Sequence, residues 1–238
     1  MELLDALRTT GSVRDFRPEA VPDDVVYRVL EVARFAPNGG NRQAWHVVVV
    51  RDPSLRRALR DHYLPGWYEY LAMSAAGLVP WAPVTDLDAE RDARGGAEAM
   101  ASAAAAGPGG FAEHLDEAPV LLLVLADLRK LASVDRGFER YTFAGGASVY
   151  PFVWNLLLAA RAEGLAGVMT TMLVRREAEL RTRFELPDHM AVASLVVLGR
   201  PVRQPRRLTR RPVEEFTTVD TVGGPPFDVP PGGFGDGP

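Results

Sequence analysis

Residues 33–50 read Ala33-Arg34-Phe35-Ala36-Pro37-Asn38-Gly39-Gly40-Asn41-Arg42-Gln43-Ala44-Trp45-His46-Val47-Val48-Val49-Val50, and the spacing of the apolar residues changes across them. On the N-terminal side, Val26, Val29, Leu30 and Ala33 form one helical stripe after the acidic start Pro22-Asp23-Asp24, so a helix ends near Pro37. On the C-terminal side, the β-branched run 45–50, bounded by Asp52-Pro53, reads as a strand. Between them lies a polar loop whose glycines let backbone amides approach a ligand, while Asn41 and Gln43 offer neutral donors and acceptors. The Gly39-Gly40 pair precedes its strand, whereas a dinucleotide fingerprint follows one, so the loop is not of that kind.

Working outward, Leu3, Leu4 and Leu7 recur at helical spacing up to Gly11, and a short helix over 1–10 leads into a loop at 12–17. A further helix is expected over about 54–62. Residues 64–110 are the least regular part. They open on the aromatics Trp67, Tyr68 and Tyr70, pass Pro80-Trp81-Ala82-Pro83, and close on Gly107-Pro108-Gly109-Gly110 after an alanine-rich piece, which suits a partly helical, variable insertion acting as a lid. Residues 120–126 are continuously apolar, as a strand covered on both faces would be. The segment 145–164, with Trp154 and Leu156-Leu157-Leu158, is apolar nearly all round. A helix of that kind must be buried, in the core or against a second subunit, and Gly164-Leu165 caps it.

A short strand over 168–172, a helix over 175–184 and a buried strand over 191–198 complete the pattern. Helices and about four strands mix without repeat, so the fold class is α+β, in one domain over residues 1–220. Residues 221–238 hold six glycines and five prolines and are expected to form a disordered tail.

Composition narrows the chemistry. The 238 residues are 47% hydrophobic and 24% charged, with 31 Asp plus Glu against 27 Lys plus Arg and a net charge of -4. There is no cysteine, which removes thiol nucleophiles, disulfides, thiolate zinc sites and cysteine-held iron-sulfur clusters, so redox chemistry would need a bound cofactor. Lys130 is the sole lysine and follows Arg129, which leaves no Walker-type loop and a single residue for Schiff-base chemistry. His46, His62, His114 and His189 show no metal-ligand spacing, so no metal is expected. Gly146-Ala147-Ser148-Val149-Tyr150 lacks the final glycine of a hydrolase elbow. The slightly acidic balance argues against nucleic acid as a partner. No apolar run reaches the roughly 18 residues of a membrane span and the first residues lack a signal-peptide layout, so a cytoplasmic location without membrane contact is expected.

Two further segments point to an anion. Arg8 lies just before Gly11-Ser12-Val13-Arg14-Asp15-Phe16, so two guanidinium forks and a hydroxyl share one helix-to-loop turn. Near the C-terminus, Arg203, Arg206, Arg207, Arg210 and Arg211 form a basic cluster in an acidic chain. Solvated surface arginines are the plain alternative for both.

In order and spacing these segments resemble the FMN-dependent nitroreductase family. The resemblance rests on Ser12-Val13-Arg14-x-Phe16, on Val21-Pro22-Asp23-Asp24, and on Ala33-Arg34-Phe35-Ala36-Pro37-x-Gly39-Gly40-Asn41-x-Gln43-x-Trp45. It continues through Ala118-Pro119-Val120-Leu121-Leu122, Leu158-Ala159-Ala160 with Gly164-Leu165, and Arg210-x-Pro212-x-Glu214-Glu215.

The resemblance covers residues 1 to about 217 and implies a central, mostly antiparallel sheet flanked by helices in an intertwined homodimer, with one FMN in each interface cleft. It implies ping-pong chemistry in which NAD(P)H reduces the flavin and a small-molecule acceptor, a nitroaromatic, quinone or activated alkene, then takes the electrons. By the same resemblance Ser12 and Arg14 meet the flavin, Arg14 as a fixed charge beside the ring. Pro37, Asn38, Gly39, Gly40, Asn41 and Gln43 line the site from the other subunit, Thr170 and Thr171 present backbone amides, and Arg210 or Arg207 reaches the phosphate. Thr10 stands where many members carry an arginine, and Arg8 is the nearest substitute. Trp67, Tyr68 and Tyr70 are the expected substrate wall, a packed helix face being the plain alternative. Two other readings keep the flavin: a dehydrogenase or oxidase of a natural product, and an FMN-binding protein without turnover.

Overall fold

Four strands, β1 (Trp45–Val49), β2 (Val120–Asp127), β3 (Ala166–Thr170) and β4 (Met190–Gly199), form one antiparallel sheet in the order β1-β2-β4-β3 in a computed structural model that describes residues 2–140 and 143–228. β2 is buried along its whole length, the expected consequence of its apolar run. Its residues alternate between two cores: Val120, Leu122 and Val124 face one, Leu121, Leu123 and Leu125 the other.

In β4 the alternation slips. The pairing shifts between Val124 and Leu125, where Val124 faces Ser194 and Leu125 faces Val192, so Ala193 is an extra residue. That bulge puts Val192 on the same face as Leu195 and Val197, although their spacing alone would separate them.

Seven helices are found among the described residues: α1 (Leu3–Thr9), α2 (Asp23–Ala33), α3 (Pro53–Ala75), α4 (Leu87–Arg94), α5 (Ala97–Ala105), α6 (Tyr150–Ala162) and α7 (Glu177–Arg183). The α2 and α6 helices cover one face of the sheet, where Trp45 stacks on Phe152 at 4.8 Å between ring centroids. α3 and α7 cover the other, and α4 and α5 pack on α3. The fold is therefore α+β, with helices on both faces of an antiparallel sheet.

The helices α6 and α3 depart most from the sequence reading. α6 starts at Tyr150 rather than 145, because a 3-10 turn (Ala144–Ser148) precedes it and Pro151 favours the first turn of a helix over its interior. Its end is the expected one: Gly164 takes φ +74°, its N–H bonds to the Arg161 carbonyl, and the Leu165 N–H bonds to the Ala160 carbonyl.

α3 does not stop near residue 62 but runs to Ala75 through Pro65. Asp52 caps its start, accepting from the Ser54 and Leu55 N–H groups at 2.8 and 3.0 Å. Pro65 removes one helical hydrogen bond, a local cost of up to about 3 kcal/mol. Burial of Leu59, Tyr63 and Met73, worth roughly 1.5–3 kcal/mol for each large side chain, outweighs it. The β3 strand and α7 are likewise displaced by about two residues from their expected limits, with a 3-10 turn (Met172–Arg176) between them.

Of the segment expected to be a disordered tail, 229–238 lie outside the described residues. Residues 221–228 turn back on 217–219, with Thr218 bridging Pro226 and the Phe227 N–H bonded to the Thr217 carbonyl.

Candidate active site

The open edge of the sheet is β3, and the segment after α1 docks on it. Val13 is buried and its N–H bonds to the Gly167 carbonyl at 2.9 Å, with Ser12 bridging Gly167 in parallel. Gly167 is needed there, because a Cβ would lie 2.3 Å from the Val197 carbonyl oxygen. On its other side the segment is held by the chain leaving β4: Arg17 N–H bonds to the Arg200 carbonyl at 2.8 Å and Val202 N–H to the Asp15 carbonyl at 3.1 Å. Arg14 is thereby fixed at the end of β3, beside Thr170.

The other wall comes from α3. Tyr63, Trp67 and Tyr70 follow one another at helical spacing and line the same cleft, with Trp67 and Tyr70 stacked at 5.4 Å and 4° between ring planes. α3 approaches the turn after β3 closely at Gly66, where a Cβ would come 2.6 Å from Met172 Sδ. Between these walls lies a cleft of about 830 Å³ whose lining includes Arg14, Thr170, Thr171, Met172, Tyr150, Trp81 and Arg175. That size lies within the roughly 300–1,000 Å³ of small-molecule and cofactor sites.

Among the described residues that line the cleft, the charged ones are Arg14 and Arg175. Tyr63 lies 3.5 Å from Thr170 Oγ1. Burial pushes its hydroxyl above the ordinary phenol range, while Thr170 and the charge of Arg14 act the other way, so it stays a neutral group at the base of the cleft. Thr170 also accepts from the Met172 N–H at 3.4 Å, which shapes the turn.

The structure thus brings together Arg14, Thr170, Thr171, Trp67 and Tyr70. Tyr68 lies on another face of α3, its hydroxyl donating to Glu113 Oε1 at 3.0 Å. Burial works to raise the Glu113 carboxyl, but hydrogen bonds from the Gly110 N–H and from Tyr68 outweigh it and hold the group below its usual value.

The loop at 37–43 is exposed and lies outside this cleft within one chain. Asn38 shapes it: its Oδ1 accepts from the Gln43 N–H at 2.8 Å, its Nδ2 donates to the Ala36 carbonyl at 3.2 Å, and Gly40, Asn41 and Gln43 all take positive φ. Gly39 N–H donates to Ser148 Oγ at 3.1 Å, so the loop sits at the same end of the α6 segment as Tyr150, which faces the cleft.

Arg8, Arg207 and Arg210 are exposed, and Ser12 lies on the docked segment. Leu208 covers Gly11, and Gln204 Nε2 donates to the Thr9 carbonyl at 3.2 Å, so the C-terminal basic segment crosses the end of α1 that carries Arg8. Tyr63, Trp81 and Arg175 are cleft residues the sequence reading did not single out. The helical spacing of Tyr63, Trp67 and Tyr70 was a usable signal, hidden by ending the helix before Pro65. Among the described residues no three His, Asp or Glu side chains converge to hold a metal ion.

A family model described as "Nitroreductase family" matches residues 7–200. Among curated proteins, the chain is 29% identical over 230 residues to an NADH dehydrogenase of Thermus thermophilus, covering 85% of this chain and 88% of that one. It is also 29% identical over 202 residues to mouse iodotyrosine deiodinase 1, covering 85% of this chain but only 63% of the mouse protein's length. Among solved structures, oxidised iodotyrosine deiodinase bound to FMN and 3-iodo-L-tyrosine superposes with a TM-score of 0.61 at 23% identity, covering 92% of this chain and all of the other.

Proposed function

The chain belongs to the nitroreductase family, and from that membership we propose that it is an FMN-dependent oxidoreductase that uses NAD(P)H to reduce a nitroaromatic, a quinone or an activated alkene by a ping-pong mechanism, as a homodimer. The observation that carries this reading is the convergence of Arg14, Thr170 and Thr171 with the aromatic wall of α3 in one cleft. The similarity to an NADH dehydrogenase and to a protein crystallised with FMN supports it.

The residues present fit a flavin. The cleft offers a ring system the guanidinium of Arg14 and a backbone turn at Thr170–Met172, with the stacked pair Trp67 and Tyr70 opposite them for the second substrate. When bound, FMN supplies hydride chemistry that no side chain of this cysteine-free chain can supply. The Arg14 guanidinium offers compensation for negative charge on that side of the cleft. Tyr63 holds a neutral hydroxyl against Thr170, and the aromatic rings of α3 keep water from one side of the cleft.

The basic residues Arg8, Arg207 and Arg210 flank the docked segment and are the groups proposed to receive the phosphate, in place of the arginine that Thr10 lacks. In a homodimer the exposed loop at 37–43 would face the partner's cleft. Residues 64–110 form the variable part over the cleft within a domain spanning 1–220.

The test is spectroscopic. Purified protein titrated with FMN is expected to take up one flavin per chain, and anaerobic NADH or NADPH is expected to bleach it. A chain that takes up no flavin overturns the proposal. Flavin uptake without bleaching by either nucleotide leaves an FMN-binding protein that does not use NAD(P)H.

A further inference from the structure

We propose that the second substrate taken by this cleft is a planar aromatic acid, and that Arg175 is the residue that selects its carboxylate. The inference rests on the assignment of the cleft as the flavin and substrate site, in which Arg14 is already committed to the flavin. Among the described residues that line the cleft, Arg175 is then the remaining cation, and none is a carboxylate that could neutralise it.

The charge on Arg175 is only half compensated. Among the described residues its ionic partner is Glu69, at 3.4 Å, and Glu69 is held more closely by Arg94, at 2.9 Å. Two guanidinium groups therefore share one carboxylate, and the group carries a net positive charge on the cleft side. The Arg175 side chain is 39% exposed, enough for a ligand to reach it. An ionised partner would gain a bidentate, charge-assisted pair there that a neutral amide of the same shape cannot make.

The guanidinium also lies over an aromatic face: Arg175 Cζ is 4.5 Å from the centroid of the Trp81 ring. Trp81 takes φ +52°, a left-handed conformation that a bulky residue adopts only where the surroundings impose it. Trp81 is tilted against Tyr70 at 6.3 Å, and Tyr70 is stacked on Trp67. A ring entering among these aromatic side chains comes within reach of the guanidinium beside Trp81. That juxtaposition favours an aromatic ligand with an anionic substituent over an aliphatic acid or a neutral aromatic.

The experiment compares 4-nitrobenzoate with 4-nitrobenzamide, which share a ring and a nitro group and differ in charge. Dissociation constants are read on the FMN-loaded, oxidised protein by quenching of tryptophan fluorescence. The unmodified protein is expected to bind the acid at least tenfold more tightly than the amide, with only the acid's affinity falling as salt is raised. Arg175→Gln is expected to bring the two affinities within about twofold of each other, and Arg175→Lys to retain part of the preference. Equal binding of acid and amide by the unmodified protein overturns the proposal, and so does an Arg175→Gln variant that weakens both ligands by the same factor, the signature of a residue that only shapes the rim. Failure to bind FMN is seen in the visible spectrum before either ligand is added and overturns the preceding assignment and this proposal together, whereas an FMN-loaded protein that binds acid and amide equally overturns this proposal alone.

Discussion

Asp127 closes β2 and shows how much one side chain organises. It is 3% exposed and receives three hydrogen bonds from Arg129, from its backbone N–H at 3.1 Å, Nε at 3.0 Å and Nη2 at 2.9 Å, while the sole lysine, Lys130, stands 3.9 Å away. The Arg129 guanidinium holds its carboxyl down at about 2, below the 3.8 of an unstructured aspartate. A depressed carboxylate stabilises the fold above its unfolded value and loses that contribution as pH falls through the folded value. Asp127→Asn is therefore expected to melt at a lower temperature than the unmodified protein at neutral pH. The gap should narrow from about pH 4 and close near pH 2, read from thermal melts across that range. A gap that persists unchanged at the acid end would show that charge at Asp127 is not what holds the turn.

The cleft residues belong to the same scale. Arg14, Thr170 and Thr171 were legible because the order of short motifs along the chain carries them. Arg175 and Trp81 were not, because nothing in their local sequence marks them. Arg175 is one of an ordinary pair with Arg176, and only its place over the Trp81 ring and its shared partner Glu69 distinguish it.

At the scale of elements, the apolar spacing located all four strands and the core helices, while turn chemistry located their ends unevenly. Gly164 was read correctly as a stop because its αL conformation is a local requirement. A Cβ there would meet nothing closer than Arg200 Nη1 at 3.9 Å, so the cost of Gly164→Ala is the strain of holding an alanine in the left-handed region. It is expected to be about 1–2 kcal/mol, seen as a fall of roughly 2–8 °C in thermal melting. Pro65 was misread for the complementary reason. Its local penalty is real, but α3 is held by Leu59 and Tyr63 against the sheet and by the burial of Met73 beyond Pro65, a term that no window of neighbouring residues contains. The bulge at Ala193 is similar: the pairing of β2 with β4, more than 60 residues apart, decides which residues of β4 share a face.

At the scale of the whole molecule, α6 and α1 present apolar side chains to solvent in a single chain. Trp154 is 39% exposed, and Leu3, Leu4 and Leu7 of α1, which packs on α6, are exposed as well. Exposed apolar surface of this kind on a helix otherwise built into the core fits the proposed homodimer. Sedimentation equilibrium is expected to give twice the mass of one chain, and Trp154→Glu to weaken that association. A single-chain mass for the unmodified protein at micromolar concentration would sink the dimer, and with it the assignment of the loop at 37–43 to the partner's cleft.

By itself the sequence determined the fold class and the succession of the main elements. These follow from spacing over a few residues: which side of a helix or strand is apolar, which glycine must take a left-handed turn, which residue types are absent. The tertiary structure decided that α3 runs on past Pro65, that Tyr63, Trp67 and Tyr70 face Arg14 across one cleft, and that Arg175 stands at its rim beside Trp81. The reason is physical: strand pairing and burial join residues from distant parts of the chain, and their energies outweigh the local preferences that a linear reading can weigh.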